Sequence, residues 1–183
     1  MKLSGHKGCV NCIDFNQKGN KIISGSDNLT IIAWKWENEK QHLQFNSEHI
    51  GNNFHSKLLH GDLLICSCGR DGHVRLAELS VTGSLMATKI LVQHLSPLHN
   101  MSVVPDSPNG ILSAGEDGQI FSMVLRETKP RQLMLLKVTK KIKFLCIALI
   151  LISPIFFVLR EENNSSGFLI VDTSLKIMWL EDR

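Results

Sequence analysis

The sequence predicts an all-β protein built from about three repeated, small antiparallel sheets, and three observations predict it. Laid beneath itself at an offset of about 43 residues, the chain matches in three segments that start at Gly5, Glu48 and Gln93. Repeats with periods of about 20 to 50 residues mark stacked or radial architectures. Each segment also carries a histidine, then a serine, then an acid or amide, with 22, 22 and 23 residues from the first to the last of these. Between Gly, Asn, Asp and Pro turns the apolar residues fall in short runs, and the repeats show no 3.6-residue helical period. A unit this small cannot bury its own face and must stack against neighbours.

In the first repeat, "CVNCIDF", "KIISGS" and "LTIIAW" read as strands, with a turn at Lys18-Gly19-Asn20. The second offers "DLLICSC" and "HVRLAEL", the third "GILSAG" and "QIFSMVL". The recurring residues are His6, Ser24 and Asn28, then His49, Ser67 and Asp71, then His94, Ser113 and Asp117. Six positions beyond the acid or amide stand Trp34, Ala77 and Met123.

The pair Cys9 and Cys12 invites a metal or redox reading. On an extended strand, however, residues three apart project to opposite faces, so the pair cannot grip one ion. Cys66 and Cys68 share a face but have no His or Cys partner at zinc-finger spacing. Buried structural cysteines are expected, with no metal and no cofactor. A recurring Ser, His and Asp also invites a hydrolase triad, but "SGS" at 24–26 lacks the second glycine of a nucleophile elbow, and the trio recurs at the repeat spacing. No catalytic residue is expected. The net charge of +3 is small and spread out, apart from "KVTKKIK" at 137–143, and tyrosine is absent. That excludes the basic stripe and the stacking platform of a nucleic-acid binder.

"GH" at 5–6, "SGSDNLTIIAW" at 24–34, "SCGRDGHVRLAEL" at 67–79 and "SAGEDGQIFSMVL" at 113–125 resemble WD-repeat blades. The resemblance implies a β-propeller, here partial, in which the His, Ser, Asp and Trp positions form a buried hydrogen-bond network. His6, Ser24 and Trp34 hold those roles in the first blade. Asn28 departs from the Asp position, Ala77 and Met123 from the Trp position, and Lys35, Glu78 and Val124 from the Asp of the signature dipeptide. "LSGHKGCVNCIDFNQKGNKIISGSDNLTIIAWKWE", "GRDGHVRLAELS" and "PDSPNGILSAGEDGQIF" are most similar to the cullin-4-associated factor 8 type of WD-repeat protein, over residues 1–139. That resemblance implies a non-catalytic substrate receptor that joins the adaptor of a cullin-4 RING ubiquitin ligase to a target protein. A generic WD-repeat scaffold is the alternative. In that family an Arg two positions after the signature Asp engages the adaptor. Arg126 is the candidate adaptor contact here, Glu37 and Ser80 standing at that position in the other blades.

The expected blades span 1–43, 44–88 and 89–139, followed by a divergent hydrophobic tail at 140–183. Within the tail, "FLCIALILISPIFFVL" at 144–159 follows three lysines and falls short of the ~20 residues a membrane helix needs. Both a membrane span or anchor and a buried β pair stay open. "GFLIVDTSLKIMWLEDR" reads as two strands that could stand in for a fourth blade. Three blades do not close a propeller, which takes about four to eight, so a fragment or short isoform is expected. Five cysteines without a disulfide framework or signal peptide point to cytoplasm or nucleus.

Overall fold

The computed structural model describes residues 2–103 and 109–125, together with the backbone of four further strands at 131–135, 156–160, 166–171 and 177–181. Every regular element among them is a strand apart from two single 3-10 turns, Trp36–Asn38 and His60–Asp62. The fold is all-β, as the repeat pattern predicts. The chain divides into two compact units, Met1–Gln93 and His94–Arg183.

The first unit holds two four-stranded antiparallel sheets. β1 (Val10–Phe15), β2 (Ile22–Ser26), β3 (Thr30–Lys35) and β4 (Lys40–Asn46) pair in sequence order. β5 (Asn53–Leu58), β6 (Leu64–Gly69), β7 (His73–Leu79) and β8 (Leu85–Gln93) repeat that order. The second unit contains β9 (Asn100–Val103), β10 (Gly110–Ala114), β11 (Gln119–Val124) and β12 (Arg131–Leu135), again a four-stranded meander. It also contains a three-stranded sheet of β13 (Phe156–Arg160), β14 (Ser166–Val171) and β15 (Ile177–Glu181). β4 and β8 run past residues 43 and 88, so the sheets do not share the limits read from the repeat.

Alternation along β2 and β3 explains why the first sheet is apolar on both sides. Ile22, Ile32 and Trp34 form one cluster, against which Leu3 and Trp36 pack. Ile23, Ile31 and Phe45 face the other way and join Leu58, Ile65, Ala77 and Leu79 of the second sheet in a shared core. In the second unit Leu98, Met101, Ile111, Leu112, Ile120 and Met123 are buried. Equivalent irregularities interrupt the first strands of both sheets in the first unit, between Val10 and Cys12 and between Asn53 and His55. Such a bulge frees Asn11 from the ladder. Its side-chain amide donates to Asp27 Oδ1 at 2.5 Å and to the Asn53 carbonyl at 3.0 Å, bridging the two sheets.

Cys12, Cys66 and Cys68 are buried, whereas Cys9 precedes β1 and is exposed, unlike the buried cysteine the sequence suggests. Burial pushes the Cys66 thiol up to about 12 and Cys68 well above the ordinary range, so both stay protonated and unreactive. No helix among the described residues is long and apolar enough to cross a membrane. Of the 144–159 run, 144–155 lie outside the described residues and Phe156 opens β13.

The two sheets of the first unit approach closely at Gly25. A Cβ there would stand 2.8 Å from Asn53 Nδ2, Cys12 Sγ and Ser56 Oγ. Gly25→Val is expected to push the sheets apart and cost about 1–3 kcal/mol, read as a lower midpoint in denaturant unfolding. An unchanged midpoint would overturn the close approach.

Candidate functional site

The recurring residues assemble at the same end of each sheet, because each histidine lies in the loop ahead of the first strand and each serine on the second. In the second repeat His49 Nε2 lies 3.0 Å from Ser67 Oγ, and Nδ1 lies 3.0 Å from both oxygens of Asp71. In the third, His94 Nε2 lies 2.9 Å from Ser113 Oγ and Nδ1 3.1 Å from Asp117 Oδ1. A carboxylate only accepts, so each imidazole donates from Nδ1, and in the neutral ring Nε2 is left to accept the serine hydroxyl. Oδ2 of each aspartate accepts the backbone N–H of the residue after the histidine, Ile50 or Leu95, at 2.9 Å in both cases.

The first repeat is wired differently. His6 Nε2 lies 2.7 Å from Ser24 Oγ, but Nδ1 faces Thr30 Oγ1 at 3.0 Å, and the Thr30 hydroxyl donates to Asn28 Oδ1 at 2.8 Å. Asn28 has one acceptor oxygen where Asp has two, and Thr30 takes it. At the far end the Trp34 indole donates to Ser24 Oγ at 2.8 Å, giving a chain with one donor direction from Trp34 to Asn28. Thr30 lies outside the recurring His, Ser and acid or amide pattern, although it stands two residues after Asn28, as His73 and Gln119 stand after Asp71 and Asp117. All three give their backbone N–H to that acid or amide, closing the same turn.

Ala77 and Met123 donate no hydrogen bond to their serines. Ala77 instead lies in the core shared with Phe45 of the first sheet. In the third sheet Phe121, opposite Ser113 in register, meets the His94 ring edge-on at 4.9 Å. Arg126 lies outside the described residues.

Burial holds His94 below the ordinary histidine range against the opposing pull of Asp117, and burial lowers His6 likewise. At Asp71 burial pushes the carboxyl up, but hydrogen bonds from His49, Ile50 N–H and His73 N–H outweigh it and bring the group down to about 2. Ser24, Ser67 and Ser113 are no more than 4% exposed and already bonded on the histidine side. A serine so enclosed meets no substrate, so the geometry locks loops to strands and leaves contact with other molecules to the surface around it.

Residues 1–35 match the family described as WD domain, G-beta repeat. The human protein named WD and tetratricopeptide repeats protein 1 is 32% identical over 141 residues, 76% of this chain and 20% of that protein. Protein ALTERED SEED GERMINATION 2 of Arabidopsis thaliana is 32% identical over 137 residues, 70% of this chain and 18% of its own. Human DDB1- and CUL4-associated factor 5 is 28% identical over 131 residues, 69% of this chain and 14% of its own. The chain therefore spans about a fifth or less of the length of these curated relatives.

Because the folded pKa of Asp71 lies below the ~4 of an unfolded aspartate, its stabilisation is complete above pH ~4 and lost as the pH falls towards 2. Wild type is expected to exceed Asp71→Asn by about 2 kcal/mol at pH 6, the gap closing between pH ~4 and ~2. Urea unfolding across that range checks it, and a gap independent of pH would remove the carboxylate from the account. His6 and His94 act at higher pH. Their lowered values mean that the unfolded chain takes up protons first, so stability declines as the pH drops below about 6.5.

Proposed function

We propose that this WD-repeat interaction module serves cullin-4 RING ubiquitin ligases as a substrate receptor, or as a truncated form of one, and catalyses nothing itself. The observation that carries the reading is the 28% identity to DDB1- and CUL4-associated factor 5 over 69% of this chain. In this reading one surface contacts the ligase adaptor and another presents a target protein, in the cytoplasm or nucleus. The factor 8 likeness of the sequence motifs points to the same group. The buried serines and histidines are in keeping with it, since they occupy the potentially reactive groups in holding loops.

A second reading, a WD-repeat scaffold with other partners, is favoured by the 32% identity to a protein named for WD and tetratricopeptide repeats. The two readings separate on the adaptor. Affinity-tagged chain incubated with the ligase adaptor is expected to retain it, and Arg126→Ala to weaken retention by about tenfold, the worth of one well-placed interface charge. No adaptor retained at micromolar concentrations would leave the scaffold reading.

A further inference from the structure

At the end of the first unit away from the histidine loops, the turns of the two sheets enclose a groove of about 350 Å³. Its floor is apolar and buried, formed by Ala33 of β3, Leu58 of β5 and Leu79 of β7. Its rim is basic. Lys18 and Lys21 border it from the β1–β2 turn and His42 from β4, with Asp62 as the lining carboxylate. Asp62 is already answered, because Lys21 Nζ lies 3.1 Å from its Oδ2 and the Asn16 amide donates to both its oxygens. Lys18 is left as an exposed cation with no counter-charge among the lining residues. Burial, then the charges of Lys35 and Lys21, hold His42 below the ordinary histidine range, as expected where the local potential is positive.

The mouth of the groove carries an apolar display. Val81 is 91% exposed at the tip of the β7–β8 turn, beside the groove-lining Leu63 at 41%. That turn is stiff. Ser80 exchanges backbone bonds with Ser84 and Gly83, and its hydroxyl meets Thr82 at 2.7 Å and accepts the Ser84 N–H at 3.0 Å. Gly83, at φ +86°, lets the turn settle on the His42 ring, where a Cβ would stand 2.8 Å from Nε2. The wall formed by that turn is thus set before anything binds, which lowers the ordering cost of binding.

From this geometry we infer that the groove docks an acidic linear segment of a partner protein, one apolar side chain seated on Ala33, Leu58 and Leu79 and a flanking carboxylate facing Lys18. An uncompensated lysine beside an apolar floor selects for both features together. The site goes beyond the adaptor reading and is tested without the adaptor, so either can fail alone.

The test is fluorescence polarisation of the full chain with a short dye-labelled peptide of Asp and Glu residues flanking a central Leu-Phe pair. Saturable binding that weakens with salt is expected, with Lys18→Glu and Val81→Asp each raising Kd about tenfold. Both positions are exposed, so both variants should keep the wild-type melting transition. Lys7→Glu, in the histidine loop, should leave Kd unchanged. Equal binding of a peptide with Ala-Ala at its centre would reduce the site to non-specific charge attraction and overturn the inference. So would the absence of binding, or preference for anionic phospholipid vesicles. Self-association seen by light scattering and abolished by Val81→Asp would give the groove to a second copy of the chain instead.

Discussion

In all three repeats a histidine ahead of the first strand meets a serine hydroxyl on the second, at 2.7, 3.0 and 2.9 Å. That contact spans 18, 18 and 19 residues of chain. It decides where the loop before each sheet can lie. A buried imidazole or hydroxyl deprived of its partner costs about 1–3 kcal/mol, so loop and strand are held together by the penalty of separating them as much as by the bond. The second ring nitrogen then has to donate, and whatever accepts from it sets the turn between the second and third strands. Where a carboxylate accepts, its Oδ2 reaches the next backbone N–H and fixes the loop as well. Where Asn28 stands, Thr30 intervenes and the loop loses that tether.

Sheet-to-sheet packing in the first unit solves a different problem. The faces carrying Ile23 and Ile31 on one sheet and Ile65 on the other are dry and share one core. Towards the histidine loops the contact becomes polar. Asn11 and Asn52 both give amide hydrogens to Asp27, and the Asn53 amide donates to Ser56 at 2.9 Å. Gly25 is the residue at that boundary, because only a missing side chain lets Asn53 and Ser56 come so near β2. The bulge at Asn11 belongs to the same device, since it re-aims that side chain towards the neighbouring sheet.

Much of this was legible in the sequence because it repeats. Three histidines, three serines and three acid or amide positions at nearly constant spacing reveal the all-β class and which residues meet, since a network within one sheet has to recur with the sheet. Thr30 was legible in principle from its place two residues after Asn28. Asn11, Asp27 and Asn52 were not: they act between two sheets, and no periodicity links a bulge in one to a turn in the other. The groove was hidden for the same reason, its lining coming from five separate stretches of chain. The exposed Cys9 shows the limit of residue averages, since β1 beside it is itself largely exposed, Val10 and Ile13 included, while Cys12 is buried.

The repeated wiring also separates what is held from what is shown. Ile50 and Leu95 give the same backbone bond to an aspartate at the same distance, yet their side chains are 84% and 85% exposed. At the equivalent place in the first repeat stands Lys7, also exposed. The bond at Ile50 and Leu95 uses only the backbone, so these two loop positions can change chemistry without disturbing the sheet beneath. The edge strands differ in the same way: β4 presents Lys40, Gln41, His42 and Gln44, whereas β8 presents Met86 at 71% and Ile90 at 49% exposure. Charged and polar edges discourage strand pairing and apolar ones invite contact. Repeats with one internal bond pattern therefore offer unlike surfaces, and a partner that binds this chain would be chosen by those surfaces rather than by the buried histidines.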